Sequence, residues 1–112
     1  MIESMMDVAV MVADASASAK WYKEKLGFEI FSSDGHWITV GPKGSATVLH
    51  LCEGQREPGN TGIAFTVDDL DKTYKELSSK GVRFTQSPAD RGFGPFARFE
   101  DPDGNEFWLF PK

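Results

Sequence analysis

The sequence predicts an α+β chain made of two βαβββ modules, and three observations carry that expectation. Strand and helix patterns recur in the same order in each half of the chain. The residues that start and stop the two helices fall at matching spacings. Each half also ends in a turn set between two strand patterns, Gly41-Pro-Lys-Gly-Ser45 in the first and Asp101-Pro-Asp-Gly-Asn105 in the second.

The elements follow in chain order. Val8, Val10 and Val12 alternate with Asp7, Ala9 and Met11, which is the period of a strand with two different faces. Asp14 is a carboxylate placed to cap a helix running to Leu26, and Gly27 closes it. Tyr22 and Leu26, four apart, share the face expected to meet a sheet. Strands are expected at 28–32, 37–40 and 46–52, with turns at Ser33-Asp-Gly35 and at 41–45. In the last of these strands, Leu49 and Leu51 share one face while Val48, His50 and Cys52 share the other.

The segment 54–60 is polar and rich in Gly and Pro and reads as a linker. A strand at Gly62–Val67 follows it. Asp69, or its neighbour Asp68, then caps a helix with Leu70, Tyr74 and Leu77 along one stripe, and Gly81 ends that helix. A strand at 82–86, a loop at 87–95 and the aromatic hairpin 96–110 complete the second half. Pro102 and Gly104 supply the hairpin turn with the φ values it needs. The expected organisation is a single domain over 1–112, with modules 1–53 and 61–112 joined by the linker 54–60.

Composition narrows the function classes. A net charge of −5 with no clustered Lys and Arg argues against a nucleic-acid partner. No apolar run approaches the roughly 18 residues of a membrane span. The first residues lack the basic start and apolar stretch of a signal peptide. Cys52 is the single cysteine, so no intramolecular disulfide can form. Together these predict a cytoplasmic protein. No phosphate loop, dinucleotide-binding glycine pattern or serine elbow is present.

One helix covers only one face of a four-stranded sheet. Pairing the open faces of two modules would give a cupped sheet with the helices outside, and a concave surface of that kind suits a small molecule. Strand parity names its lining. Asp7, Met11 and His50 come from the first half. Gly62, Glu106, Trp108 and Phe110 come from the second. The ligand-binding expectation falls on Asp7, Met11, His50, Glu106, Trp108 and Phe110. Trp108 and Phe110 would be a flat wall for a ring. Arg91 and Arg98 read as solvated charges, with Arg91 on a Gly-rich loop able to fold over the mouth of the cup.

At these residues the sequence resembles the vicinal oxygen chelate superfamily, which groups glyoxalase I, bleomycin-resistance proteins and extradiol dioxygenases. The matching stretches are Val12-Ala-Asp14 with Trp21-Tyr-Lys-Glu-Lys-Leu-Gly-Phe28, Gly62-Ile-Ala-Phe-Thr-Val-Asp-Asp-Leu-Asp71, Gly81-Val-Arg-Phe84 and Asp101-Pro-Asp-Gly-Asn105. The resemblance implies paired βαβββ modules and a homodimer. It also implies a divalent-metal site at Asp7, His50, Gly62 and Trp108. Gly62 has no side chain, and an indole N–H donates without coordinating. Two remaining ligands fall short of the three that catalytic zinc sites keep. The expectation is therefore a metal-free, cofactor-free homodimer that sequesters an aromatic or cationic compound, with no catalytic residue assigned. The alternative is a metal-dependent lyase, isomerase or dioxygenase using a rearranged Asp7/His50/Glu106 site.

Overall fold

The computed structural model describes residues 1–112. The chain folds as two compact units, Met1–Arg56 and Glu57–Lys112. The first contains β1 (Asp7–Val12), α1 (Ala15–Leu26), β2 (Glu29–Asp34), β3 (Trp37–Gly41) and β4 (Val48–Glu53). The second contains β5 (Gly59–Val67), α2 (Leu70–Ser79), β6 (Arg83–Asp90), β7 (Pro95–Glu100) and β8 (Asn105–Pro111). The two βαβββ modules are thus present, each an open, mixed, four-stranded sheet with a helix packed on it.

The sheet orders correspond strand for strand: β1-β4-β3-β2 in one unit and β5-β8-β7-β6 in the other. The first strand of each unit pairs parallel with the last, and the remaining pairs are antiparallel. The helix starts correspond as well. Asp14 and Asp69 sit at φ −142°, ψ 107° and φ −143°, ψ 106°, and each carboxylate accepts a backbone N–H from three residues on, that of Ala17 and that of Lys72. Gly27 ends α1 at φ 70°, in the left-handed region where a Cβ is disfavoured.

In the first unit the helix-facing core is Val10, Val12, Tyr22, Ile38, Val40, Leu49 and Leu51, all buried. In the second it is Leu70, Leu77, Val82, Ala97, Phe99, Phe107 and Leu109. Phe99 and Phe107 are fully enclosed, and Phe65 and Phe84 stack around them. Burying side chains of this size contributes roughly 1.5–3 kcal/mol each.

Several boundaries differ from the sequence expectation. β5 begins at Gly59, so Gly59 and Asn60 belong to a strand. β6 continues to Asp90, which leaves only 91–94 as loop. β2 and β6 are each kinked by a bulge. The register shifts between Ile30 and Ser32 in one and between Phe84 and Gln86 in the other. A bulge puts two successive residues on the same side of a sheet. Phe31 and Ser32 both turn to the helix-free face: the Phe31 ring lies against Gly41, and the Ser32 hydroxyl shares a 2.7 Å hydrogen bond with Thr39. In the second unit Thr85 and Gln86 do the same.

Candidate binding faces on the two sheets

Each sheet presents its helix-free face as a surface of a different kind. On the first, Ala9 stands opposite His50, Met11 opposite Cys52 and Asp7 opposite Val48. Asp7, Met11 and His50 therefore share one face, as parity predicted. The His50 imidazole packs on Trp37, with ring centroids 3.8 Å apart. Trp37 is 43% exposed and Phe31 41%. Cys52 is a free thiol, partly buried.

The second sheet carries a wall of rings. Trp108 and Phe110, two apart on β8, lie nearly parallel at 5.8 Å and 7°. Phe96 reaches both, at 5.2 Å and 6.5 Å. Phe93 extends the wall from the loop, stacking on Phe96 at 5.0 Å and 28° while remaining 60% exposed. Gly92 and Gly94 flank Phe93 at φ 103° and φ 104°, and Asp90 Oδ1 accepts both of their N–H groups. This loop conformation is open only to residues that tolerate a positive φ.

Polar groups frame the wall. The Arg98 guanidinium sits over Trp108 at 5.0 Å and near Phe96 at 6.0 Å. A cation so placed is stabilised by roughly 0.5–2 kcal/mol. Arg98 Nη1 pairs with Glu106 Oε1 at 3.5 Å, and the Thr85 hydroxyl donates to Glu106 Oε2 at 2.6 Å. The Trp108 indole N–H donates to Asn60 Oδ1 at 2.9 Å.

Glu106, Trp108 and Phe110 are thus brought together on one face, and Asp7, Met11 and His50 on the other. Two sequence expectations need correction. Arg98 is not a solvated charge; it lies on the tryptophan and pairs with a carboxylate. Gly62 does not stand opposite β8 as parity required. Between Asn60↔Glu106 and Ala64↔Trp108, β5 carries two more residues than β8, and Gly62 sits in that irregularity at φ 74°. Asn60 takes the place beside Glu106. Parity missed Asn60 because the bulge resets it. Arg98, Phe96, Trp37 and Thr85 were missed because the lining was drawn from the first and last strands alone. The Phe-Ala-Arg-Phe alternation of 96–99 was the signal that could have found two of them.

The metal expected from the resemblance does not fit these side chains. No group of three or more His, Cys, Asp or Glu is placed to hold an ion. Of the positions concerned, Gly62 has no side chain to ligate, Trp108 uses its N–H on Asn60, and Glu106 has one oxygen on Thr85 and the other on Arg98.

Two βαβββ modules in one chain, each leaving a sheet face free, define the class of protein. The chain belongs to the glyoxalase/bleomycin resistance protein/dioxygenase superfamily, whose model matches residues 5–109. It is 32% identical to YetH of Bacillus subtilis (strain 168) over 118 aligned residues, covering 97% of this chain and 98% of YetH. A superfamily member from Sphaerobacter thermophilus DSM 20745 superposes with a TM-score of 0.89 at 31% identity, covering 99% of this chain and 98% of that one. TnmS3, an antibiotic binding protein from Streptomyces sp. CB03234, superposes with a TM-score of 0.84 at 30% identity, covering 98% and 96%. No helix is long and apolar enough to cross a membrane.

Proposed function

We propose that the protein binds and sequesters a small aromatic compound on the ring wall of its second sheet, without a resident metal. The observation that carries this reading is the parallel pair Trp108–Phe110, extended by Phe96 and by the exposed Phe93. A planar ligand stacks on such a surface with little rearrangement of the rings. Of the two compound classes left open by the sequence, aromatic and cationic, the aromatic one is favoured, because Arg98 already occupies the tryptophan face that would attract a cation. The similarity to an antibiotic binding protein supports a binding role. The donor set described above supports the metal-free part of the proposal.

The proposal includes action of residues 1–112 as one domain, residence in the cytoplasm and assembly as a homodimer. Exposed Ile30, Phe31 and Trp37 on the first unit supply apolar surface for a second copy. Sedimentation that reports a monomer at micromolar concentration removes the dimer from the proposal.

The binding reading is tested by titrating the untagged protein with flat aromatic compounds, with elemental analysis alongside. Tryptophan emission falls on binding, and Trp108→Ala weakens affinity more than His50→Ala does. Nickel, zinc and iron are all sub-stoichiometric. One metal per chain, lost in His50→Ala together with a lyase or dioxygenase activity, would overturn this reading in favour of an enzyme.

A further inference from the structure

We propose that the ring wall selects its ligand by charge, taking a flat aromatic compound that bears an ionised oxygen, a carboxylate or phenolate, with Arg98 as the selecting residue. This inference rests on the ring-wall reading above and adds the polar half of the ligand.

The hydrogen-bonding groups around the wall are unevenly satisfied. Arg98 Nε is buried and has no partner. Arg98 Nη1 reaches Glu106 only at 3.5 Å, long beside the roughly 2.7–2.9 Å of a charge-assisted hydrogen bond. Gln86 stands opposite Arg98 in the sheet, and its Oε1 accepts from Arg91 Nη2 at 3.1 Å. Arg91 has no carboxylate at ion-pair distance. Arg98 therefore has N–H groups to spare against the rings, and Arg91 reaches the residue that faces it across the sheet.

Several acceptors nearby are already engaged. Both Glu106 oxygens have partners, in Thr85 and Arg98. Asn60 Oδ1 accepts from Trp108 and from the Gly62 N–H. Asp90 Oδ1 holds the two glycine N–H groups of the loop. The Arg98 side chain is 31% exposed and carries more N–H groups than it has acceptors, so the ligand group that completes this site is an acceptor. An ionised acceptor makes the stronger bond. A ring-bearing ammonium meets the opposite situation. The carboxylate nearest the rings, Glu106, already faces Arg98, and the guanidinium over Trp108 repels the ammonium. The chain as a whole carries −5, so nothing global draws anions to it and the preference has to be local.

The test uses three probes on one ring system: naphthalene-2-carboxylate, its neutral carboxamide and 2-naphthylmethylammonium. Calorimetry at neutral pH and low salt measures all three on the wild-type protein, Arg98→Gln and the double variant Arg98→Gln/Glu106→Gln. The double variant avoids leaving Glu106 without its cation, and near-ultraviolet circular dichroism reports whether each variant keeps its fold. In the wild type the carboxylate binds about tenfold or more tighter than the ammonium, the size of one charge-assisted hydrogen bond. In the double variant that ratio falls to within about twofold, and in Arg98→Gln, where Glu106 stands without its cation, it falls further or reverses. Equal binding of all three probes by the wild type overturns charge selection and leaves the ring wall standing. Selectivity that survives in both folded variants overturns the assignment to Arg98. Failure of every probe to bind removes the ring-wall reading and this inference with it.

Discussion

The indole of Trp108 donates its N–H to the side-chain oxygen of Asn60, 48 residues earlier in the chain, at 2.9 Å. The same oxygen accepts the Gly62 N–H at 2.9 Å. One amide therefore holds both the tryptophan edge and the irregular stretch of β5. Asn60→Ala removes the acceptor and is expected to lower unfolding stability by about 1 kcal/mol, read from urea denaturation. Asn60→Asp, which keeps an oxygen there, loses less. If both variants match the wild type, the bond has no structural weight.

Ser18 offers a change in the other direction. It is 4% exposed inside α1, and its hydroxyl is buried without a partner. Ser18→Ala removes an unsatisfied hydroxyl and places a better helix former at the position. The expected result is a gain of about 1 kcal/mol with an unchanged m-value. A loss of stability would mean that the hydroxyl has a partner in solution.

Asp14 and Asp69 cap their helices in nearly the same backbone geometry. Asp14→Ala and Asp69→Ala are each expected to cost about 1 kcal/mol. The double variant loses the sum if the two units unfold in one transition, because the caps share no partner. Two separate transitions in calorimetry would show instead that the units unfold independently.

Phe93 is the exposed end of the ring wall, on a loop held by Asp90. Phe93→Ala is expected to leave stability within about 0.5 kcal/mol, as surface substitutions do. It should weaken binding of the aromatic probes several-fold. Gly92→Ala forces a side chain into φ 103° and is expected to destabilise the loop and weaken the same binding. Unchanged affinity in both variants would place the ligand away from this loop.

The architecture was legible because its signals are local. Asp14 and Gly27, Asp69 and Gly81, and the 101–105 turn each act within a few residues. Within that turn, buried Asp101 accepts the N–H groups of Asp103 and Asn105. The face assignments of β1, β4 and β8 were also legible, because those strands keep strict alternation. The bulges were not. Nothing in Glu29–Asp34 or Arg83–Asp90 marks where alternation fails, and the shift in β5 moves Gly62 out and Asn60 in. The placing of Arg98 on Trp108 depends on the register of β7 against β8, a pairing whose partners are set by the whole sheet. Residues whose role depends on register were therefore the ones misread.

The bulges have a consequence for aggregation. Each sheet has two outer strands, β1 and β2 in one and β5 and β6 in the other. Three of these four carry a register shift. A bent rim cannot template a foreign strand over any length, which is how sheet proteins avoid joining edge to edge. β1 alone pairs without interruption, from Asp7↔Val48 to Val12↔Glu53. Its ladder is unbroken within its own sheet, so substitutions that remove charge along β1 are the ones expected to favour edge-to-edge joining.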